Sequence, residues 1–233
     1  MTNCPVCGSQ NSDLSLRCFS CRSHLQSNVK ALDLFSTIYA LWKNPDSTLK
    51  RIILAEHRNY SLLLAVLESI GISFFFLYFI KAADVYSLDL STLVLEGIKL
   101  SLTVFLVGIY LFSVLNYMVS KFKRTGAGFR GMVSGSIFAL HPLAADAIFL
   151  IPLEVAVFGS YSFSNNPSPQ IINPIPFYLL SFLEILTLAA AVYFFLRFSK
   201  VLFGVRLFSF AFAATAVVVL ISSFQIAKGI LLR

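Results

Sequence analysis

The stretch SLLLAVLESIGISFFFLYFI, residues 61–80, contains a single charged side chain, that of Glu68, among residues that are mostly apolar. A helix of about 20 residues is long enough to cross the hydrocarbon core of a bilayer, which is roughly 30 Å thick. Because that core offers no water to the backbone, the chain must satisfy its own N–H and C=O groups there, as a helix does. The stretch therefore predicts a transmembrane helix and a fold organised by a membrane.

Composition supports the same class. The chain has 233 residues, of which 58% are hydrophobic and 12% charged, and its mean hydropathy is +0.82. Soluble domains contain about 25% charged residues, so an ordinary soluble protein is excluded. We predict an all-α integral membrane protein with five transmembrane helices. The four further spans are predicted at 100–120 and 207–227, which contain no charged residue, at 176–196, and at 131–158.

The span at 131–158 is irregular. It is longer than a bilayer requires and contains His141-Pro142, and a proline removes one backbone donor from a helix. We expect this span to be kinked, strongly tilted or partly re-entrant. The loop at 159–174 has no charged residue and contains three prolines, which favours an extended, exposed structure.

The basic residues predict an orientation. Most of the 18 Lys and Arg residues precede the first span or lie between spans two and three and between spans four and five. Since basic loops stay on the cytoplasmic side, we expect a cytoplasmic N-terminus and, with five spans, a C-terminus outside. The net charge of +7 is then a property of the membrane-facing loops, and no nucleic-acid partner is expected.

Four cysteines form two C-x-x-C motifs, CPVC at residues 4–7 and CFSC at residues 18–21. Zinc takes four thiolates at tetrahedral positions, and two such motifs on a short hairpin supply them. A reducing cytoplasm keeps thiols available for zinc. We predict one structural Zn²⁺ site without an open coordination position. Two disulfides or a redox-active motif are the alternatives, and His24, which could replace a ligand, is interpreted as a surface residue. The predicted ligands are Cys4, Cys7, Cys18 and Cys21.

The chain is predicted to have three parts: a zinc ribbon at 1–26, a linker with amphipathic interfacial helices at 27–60, and a five-helix transmembrane domain at 61–233. Residues 26–28 have the polar composition of a short linker. The apolar residues at 31–42 cover most of a short helix that ends at Trp42, a residue suited to the headgroup boundary. This helix is expected to lie on the membrane surface.

A second helix is predicted to follow directly. Asn44 is suited to an N-cap, Pro45 to the first helical position and Asp46 to the first turn. One face of this helix is apolar and the other is charged, so it is either an ordinary amphipathic helix that precedes the membrane or a helix on which a partner docks. The apolar residues are Leu49, Ile52 and Ile53, and the charged ones are Lys50, Arg51 and Glu56.

Besides Glu154 in the span at 131–158, four ionisable residues fall within the predicted spans and are candidate site residues: Glu68, His141, Asp146 and Glu184. An ionised carboxylate at the bilayer centre costs about 3 kcal/mol or more, so these groups need partners. They either form a site that handles protons or cations, or hydrogen-bond between helices and fix their register. No nucleophile elbow, HExxH pair or phosphate-binding glycine loop occurs in the sequence, and we do not expect an enzyme.

The sequence resembles bacterial Yip1-domain membrane proteins over about residues 32–230. The resemblance rests on WKNP at residues 42–45, the amphipathic helix after it, the turn GAGFRG at residues 126–131 and the His141-Pro142 break. It implies a five-helix membrane domain with a cytoplasmic N-terminus and no catalytic residues. The eukaryotic relatives are associated with vesicle trafficking and Rab-type GTPases. The CPVCG stretch resembles zinc ribbons that are attached to prokaryotic membrane proteins.

These observations lead to a functional expectation. We expect a non-enzymatic scaffold or adaptor in a bacterial cytoplasmic membrane. Its ribbon and basic interfacial helix are expected to recruit a cytoplasmic or membrane protein partner or anionic lipid, and its five-helix domain to organise membrane proteins or lipids. The alternatives are a small channel or transporter, or an accessory subunit of one, that uses the carboxylates within the spans, and a ribbon that senses metal or redox state. Assembly as a homo-oligomer is a further expectation.

Overall fold

Three helices organise the part of the chain that can be described. A computed structural model describes residues 2–12, 14–25, 29–58, 60–85, 89–103, 114, 117–118 and 127–204. The predicted linker at 26–28 and the predicted span at 207–227 lie outside these residues, as does most of the span at 100–120. The chain divides into two compact units, the first formed by Met1–Leu62, Tyr110–Ala139 and Phe194–Ala216 and the second by Leu63–Ile109, Leu140–Tyr193 and Val217–Arg233.

The described residues are mostly helical, as predicted, but they do not test all five predicted spans. Among them, four short strands, which were not predicted, form an antiparallel pair, β1–β2, and a parallel pair, β3–β4. These strands are β1 Thr2–Asn3, β2 Gln10–Asn11, β3 Val29–Ala31 and β4 Ala55–His57. The helices are α1 Leu34–Lys43, α2 Pro45–Leu54, α3 Ser61–Phe79, α4 Ala82–Val85, α5 Leu90–Thr103, α6 Phe129–Leu140, α7 Pro142–Phe163, α8 Pro169–Ile172 and α9 Pro174–Phe203.

Within the described residues, α3, α7 and α9 are long and apolar enough to cross a membrane. The helix α3 coincides with the span predicted at 61–80 and is a candidate span. The helix α9 contains the span predicted at 176–196 and extends beyond it at both ends. The span predicted at 131–158 is wrong in its bounds, because α6 is a separate, shorter apolar helix and the candidate span is α7.

Two prolines explain the irregular course of α7. Pro142 has no N–H to continue the helical ladder, so α6 ends at Leu140 and α7 begins at Pro142. Pro152 likewise offers no N–H to the carbonyl four residues earlier, and just before it Asp146–Leu150 widens into a π-turn. The loop predicted to be extended at 159–174 is instead largely helical, since α7 ends in a 3₁₀ turn at Gly159–Phe163 and α8 follows.

The junction between α1 and α2 follows the prediction. Asn44 donates its N–H to the carbonyl of Ala40 and accepts from the N–H of Ser47 at 3.5 Å, while Pro45 occupies the first position of α2. The Oγ1 of Thr48 lies 2.8 Å from the carbonyl of Asn44 and 3.1 Å from that of Ala40. One residue thus caps both helices, and a buried threonine holds them together.

The chain before α1 differs from the prediction. Residues 29–31, which include the start of the predicted interfacial helix, form β3 and pair with β4, and the same pairing places Glu56 in a strand rather than in a helix. The helix α1 starts only after Asp33, whose carboxylate accepts from the N–H of Ser36 at 2.8 Å. An Asp side chain at this position satisfies a free helical donor, so the helix begins three residues later than predicted.

Close backbone contacts define the first unit. A Cβ added at Gly131 would lie 2.3 Å from the carbonyl oxygen of Ile53, and one at Gly135 would lie 2.4 Å from the ring of Phe198. The hydroxyl of Ser61 lies 3.1 Å from that of Ser134. The start of α6 therefore rests directly on the end of α2, in a geometry that only glycine permits.

The second unit is built on a similar contact between α3 and α7. A Cβ at Gly71 would lie 2.4 Å from the carbonyl oxygen of Leu143, so these two helices touch at a glycine. Next to this contact Phe74 and Phe163 place their ring centroids 6.0 Å apart. The helices α7 and α9 are joined by an apolar cluster that contains Leu150, Phe158 and Leu180.

Candidate functional site

The four cysteines form a single cluster at the N-terminus. Their Sγ atoms all lie within 4.8 Å of one another, and the shortest separations are 3.6 Å for Cys4–Cys21 and 3.5 Å for Cys7–Cys18. Tetrahedral coordination with metal–sulfur bonds of about 2.3 Å places sulfur atoms about 3.8 Å apart. The quartet therefore fits a metal ion, and all four thiols are free to bind it.

Two equivalent turns hold the quartet. In the first, Gly8 donates its N–H to the carbonyl of Cys4 at 2.9 Å, and in the second, Arg22 donates to the carbonyl of Cys18 at 3.0 Å. Gly8 and Arg22 both have a positive φ, 72° and 59°, a conformation that costs a residue with a Cβ more than it costs glycine. The ribbon is thus a duplicated unit of 14 residues, since each of these residues has its counterpart 14 positions later.

Two serines complete the duplication, and the sequence analysis did not identify them. Each serine lies two residues after the second cysteine of its motif, and its hydroxyl lies between a thiol of that motif and a thiol of the other. Hydrogen bonds of this kind lower the charge that a metal must neutralise and fix the orientation of the ligands. The Oγ of Ser9 is 3.1 Å from Cys7 Sγ and 3.0 Å from Cys18 Sγ, and the Oγ of Ser23 is 3.1 Å from Cys4 Sγ and 3.0 Å from Cys21 Sγ.

For two of the four cysteines, these hydrogen bonds favour the thiolate form. The hydroxyl of Ser9 and backbone N–H groups hold the pKa of Cys18 at about 5, well below its ordinary value, and the hydroxyl of Ser23 lowers the pKa of Cys4. Thiolates are the form that binds metal. His24 is exposed and pairs through its backbone with Arg17, and it is not one of the four clustered ligands. The donor set is therefore four sulfurs, which is the set typical of structural zinc.

The ionisable residues predicted within the spans do not all come together. Glu68 on α3 is 0% exposed, and among the described residues neither of its carboxyl oxygens has a hydrogen-bond partner. His141 is buried at the break before α7. Asp146 on α7, by contrast, accepts a hydrogen bond from the hydroxyl of Thr187 on α9 at 2.8 Å. Of the four predicted residues, Asp146 and Glu184 share one neighbourhood.

A third carboxylate, Glu154 on α7, joins Asp146 and Glu184. The carboxyl groups of Glu154 and Glu184 lie close enough to interact electrostatically with each other and with Asp146. The sequence analysis noted Glu154 in the span but did not assign it to the site, because its partner on α9 is 30 positions away. We call Asp146, Glu154 and Glu184 the carboxyl cluster.

A lysine at the end of α3 supplies the opposite charge. Lys81 attracts the carboxylates of Glu154 and Glu184 as well as that of Asp84, and its Nζ lies 3.9 Å from the ring centroid of Tyr78. Burial lowers the pKa of Lys81, and these carboxylates oppose that effect. Lys81 also has a positive φ of 53°, which turns the chain out of α3 toward the cluster. It was not predicted as part of a site.

Comparison with protein-family models, with curated proteins and with solved structures found no match to this chain.

Proposed function

We propose that this chain is a non-enzymatic membrane adaptor whose zinc ribbon binds a protein partner while its apolar helices hold it in the bilayer. The observation that carries the proposal is the exposure of Val6 (72%) and Phe19 (88%), which lie inside the two C-x-x-C motifs. Exposed apolar side chains on a rigid, metal-held turn are typical of a binding surface. A closed set of four sulfur ligands leaves no coordination position for catalysis.

The proposed metal is zinc. Four thiolates at tetrahedral spacing suit a borderline-soft ion that has no geometric preference of its own. Zinc bound here would fix the two turns relative to each other and so present Val6 and Phe19 in one arrangement. The ribbon alone has a small apolar core in which Leu14 is buried, so most of its folding free energy would come from the metal.

We further propose that the chain crosses the membrane five times, with two spans in addition to α3, α7 and α9. The stretches at 100–120 and 207–227 have the composition of spans, and the resemblance to bacterial Yip1-domain proteins supports the same number. The distribution of basic residues supports a ribbon on the cytoplasmic side. The exposed aromatic face of α1, formed by Phe35, Tyr39 and Trp42, suits a helix at the membrane surface.

Serine substitutions at the two exposed apolar positions test the adaptor function. Val6→Ser and Phe19→Ser should each weaken partner binding by about 2 kcal/mol or more, since an exposed aromatic or aliphatic anchor loses its contact area. The measurement is affinity purification from native membranes in mild detergent, with the bound partner quantified against the chain. Ser20→Ala, a change at another exposed position of the second motif, is the matched control.

Zinc content separates the outcomes of this test. Both serine variants should retain their zinc, because neither residue supplies a ligand. A partner that is retained by Val6→Ser and Phe19→Ser at the wild-type ratio would contradict the adaptor proposal, and so would the absence of any stoichiometric partner.

The carboxyl cluster favours a second candidate function, a small channel or transporter, or a subunit of one, that moves protons or cations. Asp146, Glu154 and Glu184 lie on two candidate spans, where ionisable groups are costly and often mark a transport pathway. The π-turn that begins at Asp146 is of a kind found frequently at functional sites. The alternative is a purely structural role, in which the carboxyl cluster only holds α7 against α9.

Proton flux distinguishes these two roles. If the cluster carries protons, Glu184→Gln should reduce proton flux through reconstituted liposomes to the level of protein-free liposomes, because an amide cannot take up and release a proton. Glu96→Gln is the matched control, since Glu96 on α5 forms its ion pair with Lys99 outside the cluster. Equal flux in wild type and Glu184→Gln, with both proteins folded, would remove the transport candidate.

A further inference from the structure

An open cleft of about 940 Å³ lies in the first unit. The ribbon lines one side of this cleft, and the end of α2 and the start of α6 line the other. Its described lining residues include Arg17, Phe19, Arg58, Tyr117, Gly128 and Arg130.

The cleft is strongly basic. Three guanidinium groups line it, and none of its described lining residues is acidic. Arg58 and Arg130 are close enough to repel each other, and this repulsion adds to the effect of burial in lowering the pKa of Arg58. Two like charges that repel each other at one cleft are stabilised by an anion that binds near both.

Arg58 also has an unused donor. Its Nη2 donates to the carbonyl of Ile53 at 3.0 Å, which fixes the side chain. Its Nε is buried and has no acceptor among the described residues. A buried donor without an acceptor is costly to leave unpaired, so an acceptor oxygen that reaches Nε when the Arg58 side chain shifts would stabilise the bound state.

The start of α6 adds positive charge to the same cleft. The first N–H groups of a helix of this length lack helical acceptors and carry partial positive charge. A Cβ at Gly128 would meet nothing within 4 Å, so there is room for a ligand beside this helix end. Arg130 belongs to the first turn of α6, and its charge lies next to these donors.

We infer that this cleft binds a phosphate group. Guanidinium groups match the oxygens of phosphate in a bidentate geometry, and helix N-termini bind the same group. Arg58 precedes the candidate span α3 by only a few residues, which places the cleft near the level of lipid headgroups. The group can come from an anionic phospholipid or from a soluble phosphate compound. The inference does not require a partner on the ribbon, although Phe19 belongs both to the proposed partner surface and to the lining of this cleft.

The test is calorimetric titration of the full-length, zinc-containing protein in an uncharged detergent. The probes are a monomeric short-chain phosphatidylglycerol, inorganic phosphate and the matching phosphatidylcholine. Arg130→Gln should weaken binding of the anionic probe about tenfold or more, which is the usual effect of losing one charge-assisted hydrogen bond. The double variant Arg58→Gln/Arg130→Gln should weaken it further. Arg51→Gln, which removes an exposed arginine of α2 outside the cleft, should leave it unchanged.

The two anionic probes distinguish the sources. Tighter binding of phosphatidylglycerol than of inorganic phosphate assigns the site to a lipid headgroup, and the reverse assigns it to a soluble compound. The inference is overturned if neither binds at millimolar concentration, if phosphatidylcholine binds as tightly as phosphatidylglycerol, or if Arg130→Gln binds like wild type. Zinc content and helical circular dichroism confirm that each variant is folded, and if Arg58→Gln disturbs the fold, Arg130→Gln alone decides.

Discussion

Cys18→Ser abolishes zinc binding and unfolds the ribbon, and this is the largest effect that we expect. Cys18 is only 2% exposed, and its Sγ contacts the side chains of Cys7, Ser9 and Asn11. Structural zinc contributes about 10–16 kcal/mol to the folding of small domains that depend on it, far more than such a small apolar core supplies. Metal analysis of the full-length protein should fall from one zinc per chain to nearly none, and limited proteolysis should then cleave within the first 25 residues.

His24→Ala is the control for this substitution. It removes a potential zinc ligand that lies next to the quartet in sequence but outside it in the structure, so the variant should retain one zinc per chain. Full zinc retention by Cys18→Ser would contradict the four-sulfur site. Zinc loss in His24→Ala would show that the histidine is a ligand.

Gly131→Ala should have the second-largest effect: we expect it to lower the free energy of unfolding by about 2–3 kcal/mol. The added Cβ would lie 2.3 Å from the carbonyl oxygen of Ile53, so backbone must move, and overpacking of this kind costs about 1–3 kcal/mol or more. The gain in helix propensity from glycine to alanine, about 1 kcal/mol, does not offset it. Denaturation in detergent, followed by circular dichroism, measures the change.

A graded series of glycines makes this prediction specific. Gly128→Ala should change stability by less than about 0.5 kcal/mol, because nothing lies within 4 Å of the added carbon. Gly135→Ala should fall between the two, since its Cβ would meet the ring of Phe198, and a ring can shift more easily than backbone. Equal stability of Gly131→Ala and Gly128→Ala would contradict the close approach of α6 to α2.

Local features were predictable because their physical causes lie within a few residues. The apolar run that forms α3, the Asn44-Pro45 start of α2 and the four clustered cysteines each depend on neighbours in the sequence. The buried face of α2, formed by Leu49, Ile52 and Ile53, follows from helical periodicity alone. These parts of the prediction are confirmed.

Contacts between distant segments were not predictable from one sequence. Glu154 meets Glu184, and Lys81 approaches both, only because α7 and α9 lie side by side at the end of α3. Ser9 and Ser23 carried a local signal, the repeated C-x-x-C-x-S pattern, which was overlooked. The strands β3 and β4 are too short to show the alternation that indicates a strand. The division of the predicted third span depends on how Pro142 ends one helix and begins another.

In the proposed adaptor, a closed, four-sulfur zinc site holds the binding module in its folded form, and the apolar helices anchor that module to the membrane. X-ray absorption at the zinc edge, recorded on the full-length protein purified without chelator, tests it most directly. The account predicts four sulfur neighbours at about 2.3 Å and no nitrogen or oxygen neighbour. A coordination shell that contains oxygen or nitrogen, or a protein that contains no zinc while its cysteines are intact, would contradict it.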